Sequence, residues 1–478
     1  MSTSNTSRRE FLQTAVASSA AMLTGPRATR ALAAPAVANR RSPNLLLVIC
    51  DQLGLDAIGA HGCPDVHTPN LDRLIAGGTT FLESHSTNPV CSPARSSLMT
   101  GRMPVETGVI SNGRPIHPDC PTVGHVLGSA GYETVYCGKW HLPGGVPKPA
   151  DGFTVLPARG GQGDLDDVAI SRTCEAYLKN RAQDRPYLMV ASFLQPHDIC
   201  YWGNHVGKRV PAGLPFEQIR DQLPELPPNH KSRPAAPAKL DRIKFDRFDD
   251  EQWRYYLYVY ARMIEMLDAD VGRLLDAVEA CGEAENTVIA FTSDHGDGRG
   301  RHLHVSKWYP YEEAVKVPMV VCCPGRVAAN QRDTTHLVSG VDVMSTFCDY
   351  AGVRPPEHVR GRSLRPLLER KQVDWRAYVS SEHHIDGRML RTRRYKYVRY
   401  EGDPVEQLFD LQDDPWETKN LYQDPQHADT LAEHRKLLAE FQRGLRPVEP
   451  TPSAVRPRAQ RPARPGQGGR RPPRKDPS

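Results

Sequence analysis

Residues 44–52 read Asn-Leu-Leu-Leu-Val-Ile-Cys-Asp-Gln, and this stretch gives the strongest indication of the fold class. The side chains from Leu45 to Cys50 are all apolar, whereas a strand with one solvated face would alternate apolar and polar residues. The run therefore predicts a strand that is buried on both faces, as in a parallel sheet covered by helices. It ends at the carboxylate of Asp51.

Four further apolar runs predict more strands of the same sheet. They cover residues 187–194, 287–292, 317–322 and, more briefly, 133–137. Between them, helical patterns cover residues 69–76, 122–130, 164–182 and 251–281. Strands that alternate with helices are typical of an α/β fold, so we expect a large, mostly parallel sheet sandwiched by helices.

A change of character near residue 376 predicts a smaller C-terminal α+β subdomain over residues 376–445. Short stretches at 378–382, 387–392 and 395–400 indicate antiparallel strands, and a helical pattern follows at 428–443. The larger domain is then expected to span residues 42–375. Within it, residues 203–250 are rich in proline and charge, and we interpret them as a long surface insertion.

The two ends of the chain differ from its middle. Residues 1–41 open with Ser-Arg-Arg-Glu-Phe-Leu at 7–12 and an alanine-rich apolar stretch, the layout of a twin-arginine signal peptide and leader. We therefore expect Tat export to the periplasm or beyond; a disordered basic leader is the alternative. The apolar stretch is shorter than the ~20 residues that span a bilayer, so we do not expect an integral membrane protein. Residues 446–478, rich in Pro, Arg and Gly, predict a disordered tail.

The basic charge of the chain lies at these ends. The formal net charge is +5, and residues 1–41 hold +5 and residues 446–478 hold +7, which leaves the folded middle near −7. The total is therefore no argument for a specific nucleic-acid partner. The tail could still associate with an anionic surface or polymer.

Two acidic residues follow predicted strands. Asp51 follows the first strand, and Asp294, in Ser293-Asp294-His295-Gly296-Asp297, follows the strand at 287–292. Because the carboxyl ends of parallel strands meet at one edge of the sheet, both carboxylates can converge there. Oxygen ligands suit a hard divalent cation such as Ca²⁺. Taken singly, Asp51 could instead be a turn residue and Asp294 a helix cap.

Residues 91–95, Cys-Ser-Pro-Ala-Arg, lie at the start of a short helical pattern over Pro93–Thr100. The N-terminus of a helix offers unpaired N–H groups to a nearby oxyanion, and Arg95, one turn along, can reach back to the same place. The alternatives are a buried structural thiol at Cys91 and a surface arginine at Arg95.

Basic residues also lie at the ends of predicted strands. Lys139 and His141 follow the strand at 133–137, His197 follows the strand at 187–194, and Lys307 comes soon after Asp294. Lysines and histidines in such places can bind a tetrahedral anion and shuttle protons. Individually, each is more often a solvated charge or a capping or core residue.

Together, and in this order, the motifs resemble those of the type I, formylglycine-dependent sulfatase family of the alkaline phosphatase superfamily. The resemblance covers most of residues 44–425 and rests above all on the C-x-P-x-R pattern at 91–95, by which these enzymes mark one cysteine for oxidation to formylglycine. The other matching stretches are Asp51-Gln52, Gly138 to His141, Pro196-His197, Asp294 to Gly296, Lys307 to Glu313, Val317-Pro318, Arg391 to Tyr397 and Leu408 to Leu421.

The resemblance implies a sulfuric ester hydrolase with one Ca²⁺ per chain. The metal ligands that it implies are Asp51, Gln52, modified Cys91, Asp294 and His295. The other catalytic residues that it implies are Arg95, Lys139, His141, His197 and Lys307. Many relatives have Asp at the position of Gln52 and Asn at that of His295, and fewer anionic ligands weaken calcium binding.

The mechanism that the resemblance implies is covalent. One hydroxyl of the hydrated aldehyde attacks sulfur, and the second then expels sulfate from the enzyme-bound ester. Arg95 and Lys139 would hold the hydrated aldehyde and His141 would assist the collapse of the ester. His197 and Lys307 would grip sulfate and protonate the leaving alcohol.

The expected substrate is a sulfated small molecule or polysaccharide, most simply a sulfated carbohydrate, by analogy with exported relatives. The expected protein partners are a formylglycine-generating or sulfatase-maturating enzyme and the Tat machinery. Candidate pocket residues are His302, His304, His383, His384 and Arg388. One alternative is a phosphonate or phosphate ester hydrolase of the same superfamily, and another is a non-catalytic exported protein that binds polyanions.

Overall fold

The computed structural model of the chain describes residues 42–143, 151–158, 163–201, 216–241, 245, 247–383, 386–450 and 452. The predicted signal peptide and leader at 1–41, part of the predicted insertion at 203–250 and most of the predicted tail at 446–478 lie outside these residues. Among the described residues, no helix is both long and apolar enough to cross a membrane.

The run at residues 44–51 forms a strand inside an eight-stranded sheet. The strands in chain order are β1 (Asn44–Asp51), β2 (Gly78–Phe81), β3 (Ser84–His85), β4 (Glu133–Gly138), β5 (Thr154–Val155), β6 (Tyr187–Pro196), β7 (Thr287–Ser293), β8 (Met319–Cys322), β9 (Gln331–Asp333), β10 (Val338–Ser339), β11 (Val379–His383), β12 (Gly387–Arg391), β13 (Tyr395–Tyr400) and β14 (Gln407–Asp410). The order across the large sheet is β5-β4-β6-β1-β7-β8-β2-β9. Only β8 runs antiparallel to its neighbours, so the expected mostly parallel sheet is confirmed.

Helices cover both faces of this sheet. In chain order they are α1 (Pro69–Ala76), α2 (Cys91–Thr100), α3 (Pro104–Thr107), α4 (Val123–Ser129), α5 (Gly163–Asn180), α6 (Phe216–Ile219), α7 (Ala238–Asp241), α8 (Asp250–Ala280), α9 (Glu312–Val315), α10 (Asp342–Ala351), α11 (Arg365–Leu368) and α12 (Ala428–Gly444). Leu46 and Val48 of β1 pack with α1, α5 and α8, whereas Leu45 and Leu47 pack with α2, α4 and α10. Because both faces of β1 are buried, apolar and polar residues do not alternate along this strand.

Helix α8 is the longest helix that the structure describes, and it helps to shape the edge of the sheet. It begins with a capping box, in which the Asp249 carboxylate accepts a hydrogen bond from the backbone N–H of Gln252 and the Gln252 side chain accepts one from the backbone N–H of Asp249. Its buried face carries Tyr256 and Tyr260, whose hydroxyl groups reach the residues that follow β7 and β1.

The C-terminal part of the chain forms a second sheet, in which β11, β12, β13 and β14 pair antiparallel in that order. Leu390 and Tyr397 pack under α12, while Met389 and Val398, on the opposite face, pack against residues 309–315 of the larger domain. The sequence predicts the first three strands but not β14, because a four-residue strand is too short to show a period.

The residues that follow α12 lie along the larger domain. The backbone N–H of Arg446 donates to the buried carboxylate of Glu106, and that of Val448 donates to the carbonyl of Val105. The described part of the predicted tail therefore begins beside α3, which follows α2 in the chain.

Candidate active site

Four adjacent parallel strands bring the site together. Strands β4, β6, β1 and β7 lie side by side, and their carboxyl ends meet at one edge of the sheet. Lys139 follows β4, His197 follows β6, Asp51 ends β1 and Asp294 follows β7. The four polar side chains therefore belong to one region, although up to 243 positions separate them in the chain.

Cys91 is the first residue of α2 and is fully buried. Its Sγ atom lies 3.1 Å from Nε2 of His295 and 3.2 Å from Nζ of Lys307. It also lies 3.8 Å from Oδ1 of Asp51. The cysteine that the sequence singles out thus stands between a carboxylate, an imidazole and an ammonium group.

The surroundings favour the ionised form of Cys91. Burial and the Asp51 carboxylate oppose ionisation of this thiol, but Lys307, Lys139 and His295 outweigh them and hold its pKa well below the ordinary value. A developing negative charge at this position is therefore stabilised by the surrounding cationic side chains.

Arg95 is buried, so the surface alternative for this residue is wrong. Its Nε donates to Oδ2 of Asp294 at 2.8 Å and its Nη2 donates to Oδ2 of Asp51 at 3.0 Å. The same guanidinium donates through Nη1 to the Lys139 carbonyl at 2.8 Å and to Oγ of Ser192 at 2.7 Å. Arg95 thus orients both carboxylates from one side.

Lys139 and His141 sit at the end of β4. The ammonium group of Lys139 lies 2.5 Å from Oδ2 of Asp51. The backbone N–H of Lys139 donates to the Ser192 carbonyl. The preceding residue, Gly138, adopts φ +99°, a conformation that favours glycine. His141 accepts a hydrogen bond from Oγ of Ser92 through its carbonyl, which ties this turn to α2.

His197 approaches the same carboxylate, with Nε2 at 4.0 Å from Oδ1 of Asp51. Burial lowers the pKa of His197 to about 3, so its imidazole is neutral at pH 7. The strand end before it is held by Asp167 of α5, whose carboxylate accepts the backbone N–H groups of Leu194 and Gln195, both at 2.8 Å. No sequence pattern marks Asp167 for this role, because the contact depends on how α5 packs.

A set of four buried side chains could hold a metal ion. One ligand atom from each of them lies within 4.8 Å of the other three; the four are Asp51, Cys91, Asp294 and His295. Nδ1 of His295 lies 2.9 Å from the Gly296 carbonyl, so in the neutral ring that a metal requires the proton would sit on Nδ1 and the Nε2 lone pair would face the metal. Two carboxylates and one imidazole can bind a divalent cation: the carboxylate oxygens are ligands that Ca²⁺ takes, whereas the imidazole is a ligand that transition metals favour.

The backbone N–H of Gln52 donates to Oδ1 of Asp294 at 3.2 Å, but its side chain contacts Lys307 and Asp297. Its Oε1 accepts a hydrogen bond from Nζ of Lys307 at 2.9 Å, and its Nε2 donates to Oδ2 of Asp297 at 2.6 Å. Lys307 thereby contacts both Gln52 and Cys91. Asp297 is the last residue of the 293–297 motif, and no local pattern marks it for this contact.

The candidate pocket residues lie in several places. His302 and His304 are buried, with their rings stacked at 4.2 Å on Tyr311 and Tyr309 respectively. His383 is buried at the end of β11, and Arg388 of β12 lines a separate cavity with Asp386, Arg399 and Glu401. His384 lies outside the described residues.

The fold is that of the alkaline-phosphatase-like hydrolases, with a buried cysteine at the start of a helix and basic side chains at the ends of strands. Residues 43–353 match the family model described as Sulfatase, and residues 300–444 match the model described as N-sulphoglucosamine sulphohydrolase, C-terminal. The chain therefore belongs to the sulfatase family, and it is a sulfuric ester hydrolase.

Known proteins agree with this assignment. A Delta 4,5-hexuronate-2-O-sulfatase of Bacteroides thetaiotaomicron is 32% identical over 447 residues, which cover 86% of this chain and 91% of that protein. A solved structure of a 2-O GAG sulfatase superposes with a TM-score of 0.74 at 28% identity, covering 86% of this chain and 98% of the other. A solved structure of a phosphonate monoester hydrolase of Agrobacterium radiobacter shares the fold, with a TM-score of 0.69 and 23% identity. The match covers 87% of this chain and 100% of that chain.

Proposed function

We propose that the protein hydrolyses sulfate esters of a carbohydrate, with a formylglycine made from Cys91 as nucleophile and one bound Ca²⁺. The observation that carries the proposal is the position of Cys91. Its Sγ lies within 3.2 Å of both His295 and Lys307, at the helix start that faces the Asp51 and Asp294 carboxylates. A nucleophile for a sulfuryl group needs such cationic and metal-binding surroundings, because the transition state carries negative charge on its oxygens.

The residues of the chain have distinct tasks in this proposal. Formylglycine at position 91 supplies a geminal diol, one hydroxyl for attack on sulfur and the other for release of sulfate. Asp51, Asp294 and His295 would hold Ca²⁺, which supplies positive charge to the sulfuryl oxygens. Lys307, within hydrogen-bond distance of the nucleophile position, would bind a sulfuryl oxygen or the leaving oxygen. His197, neutral at pH 7, would hydrogen-bond rather than carry charge.

The substrate class is supported by the relatives. The 32% identical relative is named for action on a hexuronate 2-O-sulfate, and the similar solved structure is a 2-O GAG sulfatase. A sulfated uronate-containing saccharide is therefore the first substrate to test.

Export and maturation form the second part of the proposal, and the N-terminal motif supports them. We infer that the twin arginines Arg8 and Arg9 direct Tat export to the periplasm. Replacing both by lysine should leave the protein in the cytoplasmic fraction of its native host, with no change in total amount. The maturating enzyme would oxidise Cys91 before export, because the folded protein buries this residue completely.

The first experiment is the mass of the Cys91 peptide from protein made in its native host. Conversion of the thiol to the aldehyde lowers the mass by about 18 Da. The Cys91→Ala variant should lose at least about a thousandfold in kcat. The matched control is Cys63→Ala, which removes a partly exposed cysteine and should keep full activity. An intact thiol in every molecule, with full activity, would contradict the mechanism.

The second experiment separates the reaction classes. Initial rates on 4-nitrophenyl sulfate, 4-nitrophenyl phosphate and a phenylphosphonate ester should favour the sulfate. A preference for the phosphorus esters would favour the hydrolase alternative that shares this fold. Full biological effect of Cys91→Ala in the host would favour the non-catalytic, polyanion-binding alternative.

A further inference from the structure

The side chain of Gln52 lies between the carboxyl group of Asp297 and the ammonium group of Lys307. On one side its Nε2 donates to Oδ2 of Asp297 at 2.6 Å, and on the other its Oε1 accepts from Nζ of Lys307 at 2.9 Å. Lys307 in turn lies 3.2 Å from Sγ of Cys91. All four side chains are buried.

The chemistry of its neighbours determines which way the Gln52 amide points. An ionised carboxylate can only accept hydrogen bonds, and an ammonium group can only donate them. Burial raises the pKa of Asp297, but its contacts with the Arg299 N–H, the Tyr256 hydroxyl and the Gln52 amide act in the opposite direction and favour the ionised form. The NH₂ group of Gln52 must therefore face Asp297, and its oxygen must face Lys307. By accepting from the NH₂ group of Gln52, the carboxylate of Asp297 thus keeps the oxygen of the same amide turned towards Lys307.

Other contacts prevent Asp297 and Gln52 from moving away. Asp297 accepts the backbone N–H of Arg299 at 2.8 Å and the hydroxyl of Tyr256 at 3.0 Å. The backbone of Gln52 has φ +74°, and its carbonyl accepts the hydroxyl of Tyr260 at 2.6 Å. A non-glycine residue in this left-handed region persists only where its surroundings hold it, and such residues cluster at functional sites.

We propose that Asp297 is a positioning residue, which acts through the Gln52 amide to hold Lys307 against the nucleophile. This role differs from the metal-ligand role that the sequence resemblance implies for Gln52. It rests on the proposed function insofar as Lys307 acts on the sulfuryl group or the leaving oxygen.

Exchanging the carboxylate and the amide between positions 297 and 52 tests this role with almost no change in side-chain shape. In Asp297→Asn, the backbone N–H of Arg299 keeps the amide oxygen on its own side, so that the new NH₂ group faces Gln52. Gln52 must then turn its oxygen towards Asn and its NH₂ group towards the Lys307 ammonium, which removes the acceptor for Lys307. Gln52→Glu in the same chain restores an acceptor on both sides. Gln52→Glu alone places two carboxylates against each other.

The mature holoenzyme and its variants would be compared by calorimetric binding of inorganic sulfate, by kcat on 4-nitrophenyl sulfate and by calcium affinity. We expect each single variant to weaken sulfate binding and lower kcat about tenfold or more, and the double variant to recover to within about threefold of wild type. Calcium affinity of Asp297→Asn should stay within about twofold of wild type. The matched control is Asp268→Asn, which makes the same change in a buried carboxylate that accepts the backbone N–H groups of Asn70 and Leu71 at the start of α1, and it should leave sulfate binding within about twofold of wild type.

The proposal is overturned if the folded Asp297→Asn variant binds sulfate as wild type does, or if the double variant is no better than the weaker single variant. It is also overturned if calcium and sulfate affinity fall together, because Gln52 would then act through the metal. Hydrolysis of 4-nitrophenyl sulfate by the wild type checks the proposed function separately, since this inference depends only on ratios of variant to wild type.

Discussion

The Nζ atom of Lys307 lies 3.2 Å from the Sγ atom of Cys91, although 216 positions separate the two residues in the chain. Cys91 comes from the start of α2, and Lys307 comes from the segment between β7 and α9. The backbone N–H of the next residue, Trp308, donates to the carbonyl of Pro89, so the two segments are joined beside the contact as well. In the proposed mechanism, this pairing places a buried cation beside the nucleophile.

Lys307→Ala should slow the hydrolysis of poor leaving groups most. A cation that hydrogen-bonds the leaving oxygen matters more when that oxygen is a strongly basic sugar alkoxide than when it is 4-nitrophenolate. We expect a loss of about a hundredfold or more in kcat on a sulfated saccharide and a clearly smaller loss on 4-nitrophenyl sulfate. Steady-state rates over a series of aryl and alkyl sulfates measure this. Lys316→Ala, which removes the ion-pair partner of Glu83, is the control. Equal losses on all leaving groups would assign Lys307 to sulfate binding alone.

Removal of the metal should lower both activity and stability. The site buries the Asp51 and Asp294 carboxylates, and a cation that binds only the folded state adds about 2.7 kcal/mol at a concentration one hundred times its dissociation constant. Treatment with EDTA should therefore lower the thermal midpoint and abolish hydrolysis, and Ca²⁺ should restore both. In Asp294→Asn the midpoint should no longer respond to EDTA or Ca²⁺. An EDTA-treated enzyme, free of metal by elemental analysis, that keeps full activity would contradict this expectation.

Gly138→Ala should damage the site that Gly131→Ala leaves intact. Both glycines have positive φ, +99° and +90°, so alanine is strained at each and costs about 1 kcal/mol or more. At position 138 a Cβ atom would also overlap the Ser192 carbonyl oxygen, whereas at position 131 nothing lies within 4 Å. Because Lys139 follows directly, we expect a larger loss of unfolding free energy and a loss of kcat only in Gly138→Ala. Urea unfolding and rates on 4-nitrophenyl sulfate would show it, and equal effects of the two changes would refute it.

Glu382→Gln should become more stabilising as the pH rises. Burial raises the pKa of Glu382 to about 7 in the folded protein, above its ordinary value of about 4.3. Folded wild type therefore holds a proton that the unfolded chain releases, and its stability falls between about pH 4.5 and pH 7. At about 1.4 kcal/mol for each pKa unit, the variant should gain about 3 kcal/mol relative to wild type from pH 4 to pH 8.

Chemical unfolding at several pH values tests this prediction. The control is Glu433→Gln, which replaces an exposed glutamate of α12 and should give a difference that does not change with pH. A Glu382→Gln difference that is equally flat would mean that the buried carboxyl keeps an ordinary pKa.

Local patterns were enough to predict five of the eight strands of the main sheet, namely β1, β4, β6, β7 and β8. The unbroken apolar run at 44–50 predicts a doubly covered strand because each of its side chains needs an apolar partner on one face or the other, and the structure buries all of them. Topology then brings Asp51 and Asp294 to one edge, since parallel neighbouring strands end together. Short strands such as β14 cannot be predicted in this way, because four residues are too few to show a hydrophobic periodicity.

Local patterns of the chain predicted the class of the fold, the sulfatase motifs and the polar residues that follow the strands, because apolar runs and helix starts are properties of short stretches of sequence. The contacts of each of these side chains became known only from the packing of the whole chain. Arg95 bridges the two carboxylates, Gln52 faces Asp297 and Lys307, and His302 and His304 stack in the core. The physical reason is that these contacts join residues far apart in the chain, and burial then requires each donor and acceptor to find a partner in that packing, which no local pattern encodes.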